Sequence, residues 1–257
     1  MTMASGRTRP EEKEGGRTVA ERLQKLIARS GICSRRTAEE LLRQGRVCVN
    51  GQTAALGESA DPALDRVEVD GRPLPSAPQA VYLMLNKPRG YVTTLSDERG
   101  RATAAELVSG CGVRVFPVGR LDRDSEGLLL FTNDGALTQS LLHPKHQVDK
   151  VDRVTVTGAL GGAAERLAGI RQLDEETISP ALVRELSSAG GQALLEVTIH
   201  EGKKRQIRRM CEKAGLKVVT LQRIREHTLE LGDLETGKWR YLTENEIKEL
   251  KGSDTRE

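Results

Sequence analysis

Aromatic residues are almost missing: one Trp, three Tyr and two Phe make up 2% of 257 residues. A recognition surface built from many stacked rings is excluded, and any single exposed ring gains weight. Cysteine is scarce as well. Cys33, Cys48, Cys111 and Cys211 are widely spaced with no Cys-x-x-Cys pair, which fits buried thiols in a reducing compartment and gives no zinc pattern. No His/Cys/Asp ligand set is clustered, so no metal site is expected. The first twenty residues are rich in Gly, Glu, Arg and Thr with no apolar centre, so they form neither a signal peptide nor a membrane span. The expectation is a cytoplasmic chain with a disordered leader over 1–18, no membrane contact, and a disordered tail over 251–257.

What is present is a foldable mixture, 37% hydrophobic and 30% charged, with a formal net charge of +3. The distribution of charge says more than its sum. From Arg17 to Arg46 there are 8 Lys/Arg against 3 Asp/Glu, and from Glu201 to Arg225 there are 9 against 2. Two such blocks can line one polyanion-binding surface, although a basic block is commonly a solvated face.

Leu23, Leu26 and Ile27 fall on one helical face, and a second helix capped by Ser34 runs through Ala38, Leu41 and Leu42. Val47 and Val49 with the Asn50-Gly51 turn, and Val67 and Val69 with Asp70-Gly71, then read as a small hairpin and a further strand. Pro73, Pro75 and Pro78 mark 71–80 as a stiff linker. Beyond it, strands outnumber helices without strict alternation: Val81 to Leu85, Tyr91 to Thr94, Val113 to Val118, Leu128 to Phe131, Val148 to Val156, Leu194 to His200 and Val218 to Arg223. Thr177 to Leu182 reads as an edge strand and turn, and Lys204 to Ala214 as a basic helix closed by Gly215. Thr243 and Glu246 can form the capping box of a last helix. This pattern indicates an α+β domain with a mixed, largely antiparallel sheet.

Between two apolar runs lies the charged loop Gly119-Arg120-Leu121-Asp122-Arg123-Asp124-Ser125-Glu126-Gly127. Its bland interpretation is a solvated ion-pair loop. Its chemical one is a carboxylate, Asp122, held by neighbouring arginines so that it can attack or abstract.

Arg22-Leu23-Gln24-Lys25, the Ser34-Arg35-Arg36-x-Ala38-Glu39-x-Leu41-Leu42 helix and Gly45-Arg46-Val47-x-Val49-Asn50-Gly51 resemble the S4 RNA-binding domain. The Asp122 loop, with Leu85-Asn86-Lys87-Pro88-Arg89-Gly90, Glu201-Gly202-Lys203-x-Arg205-Gln206-Ile207-Arg208-Arg209-Met210 and Gly237-x-x-Arg240-x-Leu242-Thr243, resembles the RsuA/RluB branch of the RNA pseudouridine synthases. The resemblance implies a small S4-like α/β RNA-binding domain over 19–70, a linker, and a synthase domain over 81–250. It implies an isomerase with no cofactor, acting on a flipped uridine of ribosomal RNA, with no DNA partner. The stretch Ser125 to Gly135 is more similar to the large-subunit members. A monomer is expected, because no long apolar strip is left over for a partner.

By the same resemblance Asp122 is the catalytic carboxylate, as nucleophile at the ribose or as base at C2', and Arg208 is the arginine that pairs with it. Arg120, Asp152, Tyr91 and Lys150 become candidates for positioning the substrate. Arg22, Lys25, Arg35, Arg36, Arg43, Arg46, Lys87, Arg89, Lys203, Lys204, Arg205 and Arg209 become candidates for RNA contact. One position departs from the family pattern. Where the family has Lys-x-Tyr, whose ring stacks on the flipped base, this chain has Lys150-Val151-Asp152. A carboxylate cannot stack, and it adds negative charge near Asp122. Tyr91 or Phe131 can compensate only if the fold brings it near, Phe131 reading rather as core, and His146 can stack or face solvent. The alternatives are a small-subunit enzyme, or a synthase-fold RNA-binding protein with little catalysis that acts in ribosome assembly.

Overall fold

The structure is a computed structural model describing residues 20–252, so the expected leader, and the tail beyond Gly252, lie outside the described residues. The chain divides between Pro78 and Gln79 into two compact units.

In the first unit, α1 (Leu23–Arg29) and α2 (Arg35–Arg43) pack against a four-stranded antiparallel sheet. Its strands are β1 (Val47–Val49), β2 (Gln52–Thr53), β3 (Val67–Val69) and β4 (Arg72–Pro73), in the order β2-β1-β3-β4. Ser34 caps α2 by accepting the Thr37 N–H at 3.0 Å. Leu23, Leu26, Ile27, Leu42 and Val47 are buried together. At about 1.5–3 kcal/mol each, such side chains are what a unit this small has to hold it folded. The two tight turns form where Asn50-Gly51 and Asp70-Gly71 can take positive φ. The second turn leads into β4, and Leu74 packs on the same core. The segment expected to be linker from 71 is therefore sheet and core as far as Leu74.

The second unit is built on a nine-stranded sheet. Its strands are β5 (Tyr82–Lys87), β6 (Phe116–Pro117), β7 (Glu126–Thr132), β8 (Lys150–Gly158), β9 (Leu182–Ala189), β10 (Gln192–Ile199), β11 (Leu216–Glu226), β12 (Leu229–Glu230) and β13 (Trp239–Tyr241). They run in the order β9-β10-β8-β11-β7-β5-β13, with β12 beside β11 and β6 beside β7. Every pairing is antiparallel except β11 with β7.

β5 and β7 are buried on both faces. Tyr82, Met84, Leu128 and Leu130 enter one core, and Leu83, Leu85, Leu129 and Phe131 enter another. That is why their sequences are continuous apolar runs rather than alternations. β8 and β10 alternate instead. Val154, Val156, Leu195, Val197 and Ile199 share a core with α3 (Ala163–Ala168) and α4 (Gln206–Lys213), while Arg153 is exposed on the other side.

Two expected elements differ. Tyr91 to Thr94 is a loop held by one bridge, Val92 to Thr103. The edge strand expected over Thr177 to Leu182 is not formed there beyond Thr177, and β9 runs instead from Leu182 to Ala189, where no strand was expected. It is exposed along almost its whole length, so no burial pattern marks it. The final helix α5 (Glu244–Gly252) extends two residues into the expected tail, and Thr243 and Glu246 form its capping box at 3.3 and 2.7 Å. No helix among the described residues is long and apolar enough to cross a membrane.

Candidate active site

Lys87, the last residue of β5, is fully buried, and its ammonium donates to three carbonyls: Ser125 at 2.8 Å, Asp122 at 3.1 Å and Pro88 at 3.1 Å. Burial pulls its pKa down to about 8, against the opposing charges of Asp122, Asp124 and Glu126. The loop after β6 is tied further by the Gly90 N–H to the Arg123 carbonyl at 2.7 Å and by the Thr93 hydroxyl to the Leu121 carbonyl at 2.8 Å. The Asp122 loop is thus fixed by its backbone, which leaves its side chains to do chemistry. Lys87, expected to contact RNA, is a structural clamp instead.

Facing this loop is the start of α4. Arg205 takes the left-handed conformation at the cap of that helix, φ +52°, rare for a residue with a side chain. Its guanidinium grips Asp124 through both oxygens at 2.9 and 3.0 Å and lies 3.7 Å from Asp122 Oδ2. The Arg205 hydrogen bonds hold Asp124 below the ordinary carboxylate range. Arg208 is largely buried. It donates to the Asp124 carbonyl at 2.8 Å and to Ser125 Oγ at 3.3 Å, and its Nε is 3.4 Å from Asp124 Oδ2. The expected pairing of Arg208 with Asp122 is corrected by this geometry. Arg208 braces the loop through Asp124 and Ser125, and the cation that comes within 4 Å of the Asp122 carboxylate is Arg205. At 3.7 Å that contact is an ion pair and not a hydrogen bond.

Asp122, Ser125, Arg205 and Arg208 line a cleft of about 460 Å³ together with Arg120, Lys203, Lys204, Asp152 and Arg223. Its size suits a small-ligand site. Asp152 is fully buried, directly opposite Arg223 in the β8–β11 register, with Arg223 Nε 3.3 Å from Asp152 Oδ1. Arg223 also lies 3.6 Å from Glu226. The added negative charge expected from Asp152 is therefore met by a buried guanidinium.

No ring stands in for the missing tyrosine. Neither Tyr91 nor His146 lines the cleft, and Phe131 is a core residue. Lys150 does not line it either; its ammonium donates to the Val148 carbonyl at 3.1 Å. Arg209 is turned away onto Asp174 at 2.6 Å and Glu176 at 3.2 Å, so it is not placed as the expected RNA contact. Arg89 is exposed, outside the cleft lining. In the first unit Arg22, Arg35 and Arg36 are exposed, whereas Lys25 is held by Glu21, Arg43 by Glu40, and Arg46 by Asp70 at 2.7 Å through both oxygens.

A larger hollow of about 630 Å³ is lined by Arg153 and Gln222, which alternate with Asp152 and Arg223 along β8 and β11, and it gathers none of the sequence-predicted site residues. Among the described residues no cluster of three or more His, Cys, Asp or Glu could hold a metal ion. Burial pushes the Cys211 thiol up to about 12, so it is no nucleophile.

Residues 81–213 match the RNA pseudouridylate synthase family, and residues 21–58 match the S4 domain. The chain belongs to the RNA pseudouridine synthases. An uncharacterized RNA pseudouridine synthase of Mycobacterium leprae is 42% identical over 90% of this chain and 92% of its own length. The ribosomal large subunit pseudouridine synthase B of Bacillus subtilis is 41% identical over 90% of this chain and 96% of its own. The dual-specificity RNA pseudouridine synthase RluF of Salmonella typhi is 37% identical over 89% and 78%. A crystal structure of a pseudouridylate synthase superposes with a TM-score of 0.63 at 30% identity, covering 89% of this chain and 99% of that one.

Within this synthase site, sequence reasoning missed the clamp by Lys87 and Thr93 and the pairing of Arg223 with Asp152. Arg223 did carry a signal, since it is the arginine in an otherwise alternating strand that continues the buried face of Leu221.

Proposed function

We propose that this chain converts a specific uridine of large-subunit ribosomal RNA to pseudouridine, with Asp122 as the catalytic carboxylate. The observation that carries the reading is the posture of Asp122. It stands at the cleft on a backbone held by Lys87, about a third exposed, beside an arginine that steadies it without engaging it by a hydrogen bond. A carboxylate in that state can attack C1' or remove the C2' proton of a ribose.

Breaking N1–C1', turning the uracil, joining C5 to C1' and moving the C5 proton off as N1 gains one leaves no net redox change. The base must leave its stack, at a cost of a few kcal/mol, and the basic rim of Arg120, Lys203 and Lys204 supplies phosphate contacts that offset it. The large-subunit target follows the name of the B. subtilis relative.

The test is release of tritium from C5-labelled uridine in ribosomal RNA. The wild-type chain should release it, and Asp122→Asn should be slower by about a thousandfold or more. Equal, negligible release from both would sink the enzymatic reading and leave an RNA-binding protein. Mapping the modified nucleotide to small-subunit RNA would overturn the target.

A further inference from the structure

The deepest group in the cleft is one the chemistry above does not use. Asp152 is fully buried, and neither of its oxygens accepts a hydrogen bond within the described residues. Arg223 Nε, 3.3 Å away, is likewise without a hydrogen-bond partner. The face of the sheet that carries Asp152 and Arg223 is aliphatic through Val154, Val156, Val197 and Leu221 and turns polar only where it reaches the cleft. A buried acceptor beside a buried donor, both unfilled, costs stability unless a ligand completes them.

Depth orders the ligand. Asp122 is about a third exposed and Asp152 not at all, so a nucleotide that presents its ribose to Asp122 turns the far edge of its base towards Asp152. In uracil that edge carries the N3–H donor between the O2 and O4 acceptors.

We propose that Asp152 accepts the N3–H of the flipped uracil, with Arg223 donating to the neighbouring carbonyl oxygen, and that this bond is the pivot on which the base turns. The proposal rests on the pseudouridine synthase reading of the cleft. To put C5 where N1 was, the ring rotates half a turn about the axis through N3 and C6. That rotation exchanges C5 with N1 and O4 with O2 but leaves N3–H in place. An acceptor at N3 is therefore the polar contact that survives the rotation, while the Arg223 donor meets O2 before it and O4 after. Asp152 and Arg223 hold the ring by its edge, where no aromatic residue lines the cleft to hold it by its face.

The test uses the full chain with uridine 5'-monophosphate and 3-methyluridine 5'-monophosphate, whose affinities are compared by calorimetry. Wild type should prefer the unmethylated nucleotide at least tenfold. Asp152→Leu, with the same branching but no acceptor, should lose that preference. Equal affinities in wild type, no binding of either nucleotide, or a folded Asp152→Leu protein with the preference intact would overturn the proposal. Should Asp152→Leu fail to fold, Asp152→Asn carries the test: a preference at least threefold smaller supports the pivot, and an unchanged preference removes it. The readout is binding, so it can fail while tritium release succeeds, and the reverse. The two hypotheses therefore fall separately.

Discussion

Lys87 shows how much one buried charge can organise. Its ammonium has three protons, and each has a carbonyl to meet: Pro88, Asp122 and Ser125. The neutral amine has two, so deprotonation releases one of the ties on the Asp122 loop. With the pKa brought down to about 8, that release falls within reach of ordinary assay conditions. The rate should decline as pH rises through about 8, and Lys87→Met should lower kcat for tritium release at least about tenfold with KM for RNA little changed, removing that alkaline limb. An unaltered limb in the variant would assign it to another group. The effect on stability has the opposite sign. Because the folded pKa lies below the value of 10.5 usual for lysine, the unfolded chain binds more protons between about 8 and 10.5, and this group's contribution to stability rises with pH across that window.

Among the elements, the close approach of β7 and β11 is the constraint on the site. Gly127 adopts φ +101°, and a Cβ there would lie 2.2 Å from the Arg223 carbonyl oxygen, a backbone atom that cannot swing aside. Gly127→Ala must push β11 outward at the residue whose side chain faces Asp152. Thermal denaturation should show a loss of about 2–4 kcal/mol, and tritium release should fall further than that loss explains. A variant as stable and as active as wild type would mean the strands can part at no cost. The elements themselves were largely legible. The Ser34 cap, the two Gly-containing turns, the basic helix from Lys204 and the Thr243 capping box all rest on local chemistry, which a sequence displays. β9 was hidden because exposure removes the alternation that marks a strand. Of the site, the Asp122 loop and the Arg205 to Arg208 run were visible as motifs. The exchange of partners, Arg208 to Asp124 and Arg205 towards Asp122, was not, because it depends on the left-handed turn at Arg205. The burial of Asp152 could be read from its place in the alternation with Val154 and Val156. Its partner lies on a strand distant in sequence, and no local pattern names it.

For the whole molecule, the charges of the first unit separate into cations already held and cations on offer. Arg46 is bound to Asp70 through both carboxylate oxygens at 2.7 Å, whereas Arg35 and Arg36 stand exposed at the start of α2. Replacing Arg35 and Arg36 together by Ala should weaken binding to ribosomal RNA and flatten the plot of log affinity against log salt by about 1 to 2, about 0.7–0.9 for each phosphate that is no longer neutralised. Arg46→Ala should change the slope less. Equal slopes for all three proteins would move the RNA surface elsewhere.

The parallel pairing of β7 with β11 also bears on how the chain reaches its working state. Asp122 comes from the part of the sheet built on β5 and β7, and Asp152, Arg205, Arg208 and Arg223 from the part built on β8, β10 and β11. Each part consists mainly of antiparallel strands, and in the sheet the two parts meet where Glu126 and Gly127 of β7 pair with Gln222 and Arg223 of β11, residues far apart along the chain whose union carries a loop-closure cost of its own. The cleft therefore does not exist in any partly folded form that lacks this pairing, and the chain gains its grip on a uridine only once the two parts are joined.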